Sequence, residues 1–178
     1  ASGTTIEHPH SQVVGIPVMP LHIRSRIENA MRFFDDTGEC LMCRIIKDEL
    51  NEGTRIVMDT KHFTAFVPYA ALSPFHTWIF PKKHSGFFAD MQSDEIWDIA
   101  SNLKSIMARL YHGLNNPDFN YVVMSGNPRD VNSGFIHWYL SVVPRVAMAS
   151  GFELGSGMYI NSLIPEKAAE YLRNVKIP

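Results

Sequence analysis

His8-Pro9-His10-Ser11-Gln12 sets two imidazoles and an amide at alternate positions of a segment whose neighbours favour extended backbone. Thr4-Thr5-Ile6 precedes it and Val13-Val14-Gly15-Ile16 follows it, so residues 3–16 read as a strand. Side chains alternate faces along a strand, which puts His8, His10 and Gln12 on one surface. Pro9 fixes its own φ and removes a ladder donor, which suits a strand edge or end. An imidazole held by its neighbours, beside an amide able to hydrogen-bond a phosphate oxygen, is a plausible nucleophile. The competing reading is two ordinary histidines beside a proline.

The rest of the chain bounds what this segment can serve. With 178 residues, 46% of them hydrophobic, the chain fits one globular domain, or one domain with part of another. A formal charge of −2 gives no field for nucleic acid. No apolar run reaches membrane-spanning length and nothing resembles a signal peptide. Two cysteines, three positions apart, fit a reducing, cytoplasmic setting and half of a metal site better than a disulfide scaffold. The chain opens Ala1-Ser2-Gly3 and enters the histidine motif within one short strand, so it reads as the C-terminal part of something longer.

Beyond Pro17 and Pro20, residues 22–36 carry helical spacing, with Gly38 as the stop. Arg55–Asp59, Phe63–Pro68 and Thr77–Phe80 read as a meander of strands. Ser93 is the expected cap of a helix running to about Gly113, with Ile96, Ile99, Leu103, Ile106 and Leu110 inward. Tyr121–Met124 and His137–Val143 are further strands, 150–157 a glycine-punctuated loop, and Pro165 the first turn of a last helix. Strands in hairpins without a βαβ rhythm imply an α+β fold with a largely antiparallel sheet.

Cys40 and Cys43 form a C-x2-C pair, the usual chelating half of a zinc site. His84, at a strand end, and His137, at a strand start, can complete a Cys2His2 set. Spacing alone does not single them out, because His22, His62, His76 and His112 are also present. Buried free thiols beside unrelated histidines are the alternative.

Taken together, the blocks resemble the galactose-1-phosphate uridylyltransferase family of the histidine triad superfamily, and within it the ADP-glucose phosphorylase-like members. They are Glu7–Gln12, Thr37–Cys43, Pro74-Phe75, Pro81–His84, His137–Leu140 with Pro144, and Gly151–Asn161. The resemblance implies a histidine-triad-like (HIT-like) α+β fold. Residues 1–38 would be the last strand and linker of a first half-domain, and residues 39–178 a second, degenerate half-domain. It implies His10 as nucleophile, Gln12 on the α-phosphate, His8 as a metal ligand, and Cys40, Cys43, His84 and His137 as a zinc site.

The second triad is degenerate, since Tyr139 holds the nucleophile's place and Ser141 the third. That half-domain reads as a scaffold. Thr5 and Ser11 are candidate hydroxyl donors to substrate. Gly151, Phe152 and Glu153 match a segment that in relatives reaches the neighbouring subunit's site. The implied activity is nucleotidyl transfer through a nucleotidyl-histidine. It would move the nucleotidyl group from a nucleotide sugar to a sugar 1-phosphate or phosphate, releasing the first sugar 1-phosphate, in a homodimer, with either UDP-glucose or ADP-glucose as donor. The competing reading is a non-catalytic, zinc-stabilised module.

Overall fold

The computed structural model describes residues 8–178, so Thr5 lies outside the described residues. Helix α1 (Leu21–Thr37) ends at Gly38, whose φ of 72° is the left-handed stop expected of it. Helix α2 (Leu41–Glu52) follows Cys40 directly and also ends on a left-handed glycine, Gly53. Then come β1 (Ile56–Asp59), β2 (Phe63–Phe66) and β3 (Thr77–Pro81). Helix α3 (Ser93–Gly113), β4 (Phe119–Met124), β5 (Tyr139–Pro144), α4 (Gly151–Ser156) and α5 (Pro165–Asn174) complete the chain.

The five strands form one sheet in the order β1-β2-β3-β5-β4, with every neighbouring pair antiparallel. The α+β expectation therefore holds. Period-two alternation divides the sheet into two faces. Ile79, Leu140 and Val142 pack with Trp138, with Ile99, Ile106 and Leu110 of α3, and with Ala168, Ala169 and Leu172 of α5. Phe66, Phe80 and Tyr139 pack on the opposite face with Cys40, Met42 and Ile46 around α2. Phe66 stacks on Phe80, and Phe80 on Tyr139, with centroids 5.8 and 4.6 Å apart.

Three sequence expectations change. Residues 8–16 carry no strand: they run exposed, with no ladder partner among the described residues. Residues 150–157 are not a plain loop, because Ser150 and Glu153 form a capping box that starts α4 despite the glycines. Helix α3 is capped by Gln92, not Ser93, because Glu95 accepts the Gln92 N–H at 2.8 Å. Its Ile96 is half exposed, while Ile99, Ile106 and Leu110 are buried.

A buried ion network ties the α2 end to β1 and α5. Arg55 donates to both carboxylate oxygens of Glu49 at 3.1 and 2.9 Å. It also donates to Glu52 at 2.8 Å and Glu166 at 2.7 Å. Burial opposes the charge of Arg55, but the hydrogen bonds it donates to Glu166 and Glu49 outweigh this and hold the guanidinium protonated. Burial also pushes the Glu49 carboxyl above its ordinary range, against the pull of Arg55.

Candidate metal centre and histidine segment

Cys40, Cys43, His84 and His137 converge from three parts of the chain: the α2 start, the turn after β3, and the approach to β5. Their ligand atoms all lie within 4.8 Å of one another. Cys43 Sγ is 3.3 Å from His84 Nδ1 and 3.4 Å from His137 Nδ1. Metal–sulfur bonds of about 2.3 Å and metal–nitrogen bonds of about 2.0 Å at the tetrahedral angle set such donors about 3.5 Å apart. The other ring nitrogens face backbone carbonyls, His84 Nε2 at 2.9 Å from Ser133 O and His137 Nε2 at 3.1 Å from Pro81 O. A carbonyl only accepts, so each Nε2 carries the proton and each Nδ1 lone pair points into the cluster. A hydrogen bond from the far ring nitrogen to a carbonyl fixes the tautomer and orients a metal-bound histidine.

Without an ion the two thiols share one burden of charge. The hydrogen bond from Cys43 brings Cys40 down to about 3. The same contact, with burial, holds Cys43 protonated. A divalent ion relieves both, so the donor set fits a metal ion.

Close packing of backbones supports the centre. A Cβ at Gly86 would stand 2.2 Å from the carbonyl oxygen of Asp130. Only glycine lets the turn after His84 lie against the loop that carries Ser133. Phe34 of α1 packs over Gly134 and Phe135 on the same side, its ring 6.2 Å from that of Phe135.

The histidine segment is a separate constellation. His10 Nδ1 is 2.9 Å from the carbonyl oxygen of His8 and therefore donates to it. That leaves Nε2 with its lone pair, and the Gln12 amide nitrogen lies 3.4 Å from it. Ser11 Oγ turns to the protein and lies 2.7 Å from the hydroxyl of Tyr121 on β4. His8 is exposed, its Nδ1 3.0 Å from Pro9 O, and it is not part of the four-residue cluster.

Gly151 and Phe152 are exposed on α4. Glu153 accepts the Ser150 N–H at 2.9 Å and also the Ser150 hydroxyl, which together hold its carboxyl below the usual range.

Tyr139 and Ser141, at the degenerate triad positions, are turned to internal work. Arg26 of α1 donates to the Tyr139 hydroxyl and lies 5.7 Å from the centre of its ring. Burial raises the Tyr139 phenol, against the pull of Arg26. Ser141 Oγ is 2.7 Å from His76 Nε2, to which the Trp78 indole N–H also donates at 3.2 Å. Burial, aided by Arg26, pushes His76 down to about 4, so its ring is neutral. Arg26 of α1 and residues of α2 pack on the face of the sheet that carries Tyr139.

Sequence reasoning missed Arg26 and Tyr121. Neither carries a motif: one is a charge on an amphipathic helix, the other an aromatic in a strand. No helix among the described residues is long and apolar enough to cross a membrane.

Known proteins match this architecture. The sequence fits the family described as galactose-1-phosphate uridyl transferase, C-terminal domain, over residues 26–177. An ADP-glucose phosphorylase of Arabidopsis thaliana is 32% identical over 179 residues, covering 99% of this chain and 50% of that protein. A crystal structure of an ADP-glucose phosphorylase from Arabidopsis thaliana with bound ADP-glucose is 30% identical, with a TM-score of 0.79 over 91% of this chain and 52% of that one. A zinc-bound histidine triad family protein from Mycobacterium smegmatis shares the fold alone. It is 18% identical, with a TM-score of 0.52 over 75% of this chain and 90% of that one. The chain spans about half the length of the curated relatives it matches. A family match over most of its residues, on a histidine-triad-like fold, makes this chain a member of the galactose-1-phosphate uridyl transferase family, through that family's C-terminal domain.

Proposed function

We propose that the chain takes part in nucleotidyl transfer between a nucleotide sugar and a sugar 1-phosphate or phosphate, with His10 as nucleophile. The observation that carries this is the 2.9 Å bond from His10 Nδ1–H to the His8 carbonyl. It commits the ring to the tautomer whose Nε2 can attack.

The Nε2 lone pair attacks the α-phosphorus in line. The bond from phosphorus to the bridging oxygen breaks, and the sugar 1-phosphate leaves with the electron pair. An oxygen of the incoming phosphate or hexose 1-phosphate then attacks the same phosphorus, and His10 Nε2 departs with its lone pair restored. Splitting the displacement in two gives ping-pong kinetics. Gln12 supplies a neutral N–H to the charge developing on a phosphoryl oxygen.

Cys40, Cys43, His84 and His137 hold zinc in this reading. It supplies structural cross-linking and fixes the loops flanking β3 and β5. His8 is a ligand of a second metal, completed by residues of a preceding half-domain. Residues 1–38 belong with that half-domain and residues 39–178 form the second. A homodimer brings Gly151, Phe152 and Glu153 to the partner's substrate. A reducing cytoplasm keeps the thiols available as ligands. ADP-glucose is the first donor to try, since a relative was solved with it bound. UDP-glucose is the alternative that the family name carries.

Intact-protein mass after incubation with ADP-glucose or UDP-glucose tests this. The expected result is a gain of one nucleoside monophosphate, absent in His10→Ala. No adduct from either sugar, in folded and metal-loaded protein, favours the second reading, a metal-stabilised module without chemistry of its own. The burial of Tyr139 and the engagement of Ser141 by His76 favour that reading for residues 39–178 taken alone.

A further inference from the structure

We propose that Tyr121 is a positioning residue that anchors the His10–Gln12 segment to the sheet through Ser11, a step that builds on the nucleotidyl-transfer reading. Through Ser11 the exposed segment meets β4, an edge strand of the sheet among the described residues. Among the described residues, no ladder holds residues 8–16. Chemistry at His10 needs its ring placed to a fraction of an ångström, and an unpaired segment does not provide that unaided.

The Ser11–Tyr121 contact meets this need. Tyr121 is fixed at its backbone by pairing with Val142, between Asn120↔Val143 and Val122↔Ser141. Its hydroxyl reaches Ser11 Oγ at 2.7 Å, across 110 positions of sequence. Ser11 sits between the two residues proposed to meet the phosphate. Its hydroxyl turns to the protein, while the Gln12 amide and the His10 ring meet each other at 3.4 Å. Tethering the middle residue constrains its two neighbours at once. Ser11 is then an anchor, and its hydroxyl is spent on Tyr121 in place of a substrate. Through this contact the scaffold half of the chain orients the nucleophile.

The test is a double-mutant cycle of Tyr121→Phe and Ser11→Ala in the full chain, with zinc present. Three readouts are needed: the rate of nucleotidyl adduct formation, the His10 imidazole resonances by NMR, and the unfolding midpoint. Each single change removes one hydroxyl and leaves packing intact. The expected result is a fall of about tenfold in adduct rate for either variant, the double variant being no slower than the singles. His10 resonances shift in both variants, and the midpoint stays put. An unchanged rate with unmoved His10 resonances in Tyr121→Phe overturns the proposal, as does strict additivity of the two changes. If the unsubstituted chain forms no adduct, the nucleotidyl-transfer reading fails, and the resonances alone decide. A common shift of His10 in both variants then supports the anchor, and no shift overturns it.

Discussion

His10 Nδ1 donates to the carbonyl oxygen of His8 at 2.9 Å, so one residue's ring is held by the backbone two positions before it. The acceptor is main chain and does not depend on the His8 side chain. Nitrogen NMR of the neutral His10 ring is expected to show a protonated Nδ1 and a bare Nε2. The same tautomer is expected in His8→Ala. A ring with its proton on Nε2 would remove the basis for its role as nucleophile.

One zinc per chain is expected by native mass spectrometry, and Cys43→Ser is expected to lose it. Cys43 is the ligand that both histidines face, at 3.3 and 3.4 Å. Chelation of the parent protein is expected to lower the unfolding midpoint by roughly 10 °C, the shift that about 3 kcal/mol produces in a domain of this size. A midpoint indifferent to chelator would remove the structural role of the ion.

Replacing Arg55 with methionine strands three carboxylates, one of them the buried Glu49. Removing one partner of a buried ion pair costs about 3–5 kcal/mol. Arg55→Met is therefore expected to lower the midpoint by roughly 10 °C. Arg55→Lys is expected to recover little, since a single ammonium cannot serve Glu49, Glu52 and Glu166 together. Full rescue by lysine would show that charge alone matters there.

His76 makes stability depend on pH. Its folded value lies at about 4, below the ordinary histidine value of about 6.5. Between those values the unfolded chain binds more protons than the folded one, so stability rises with pH. The contribution is complete above about 6.5 and is lost as pH falls toward about 4, a loss of order 3 kcal/mol. Glu49, raised by burial, acts with the opposite sign, so the contrast must be made by substitution. In His76→Gln, the slope of unfolding free energy against pH in this window is expected to flatten by up to one proton. An identical slope in the variant would rule His76 out as the source.

Much of this was written in the sequence. Gly38 and Pro165 marked helix ends by backbone geometry that few other residues share. The cysteine pair pointed to a metal site, and the resemblance supplied the two histidines that spacing could not choose. The strand expected at residues 3–16 was not found among residues 8–16, because alternation tells which face a side chain takes but not whether a partner strand exists. The helix α4 was hidden by its glycines, whose low propensity was outweighed by one Ser-x-x-Glu cap. Arg26 and Tyr121 were illegible for a different reason: each matters only through a residue more than a hundred positions away.

The four-residue cluster joins Cys40 to His137, across 97 positions of sequence. An ion there is a topological staple over more than half the chain. Cys40 and Cys43, one helical turn apart, can capture it before the sheet exists, whereas His84 and His137 arrive only once β3 and β5 are paired. Closing a loop of that length has a large entropic barrier that grows only slowly with further length. Metal present at the start of refolding is therefore expected to slow unfolding strongly and folding hardly at all, the pattern of a contact formed after the transition state. A stopped-flow comparison with and without the ion reads both arms, and a large acceleration of folding would place the staple in the nucleus instead.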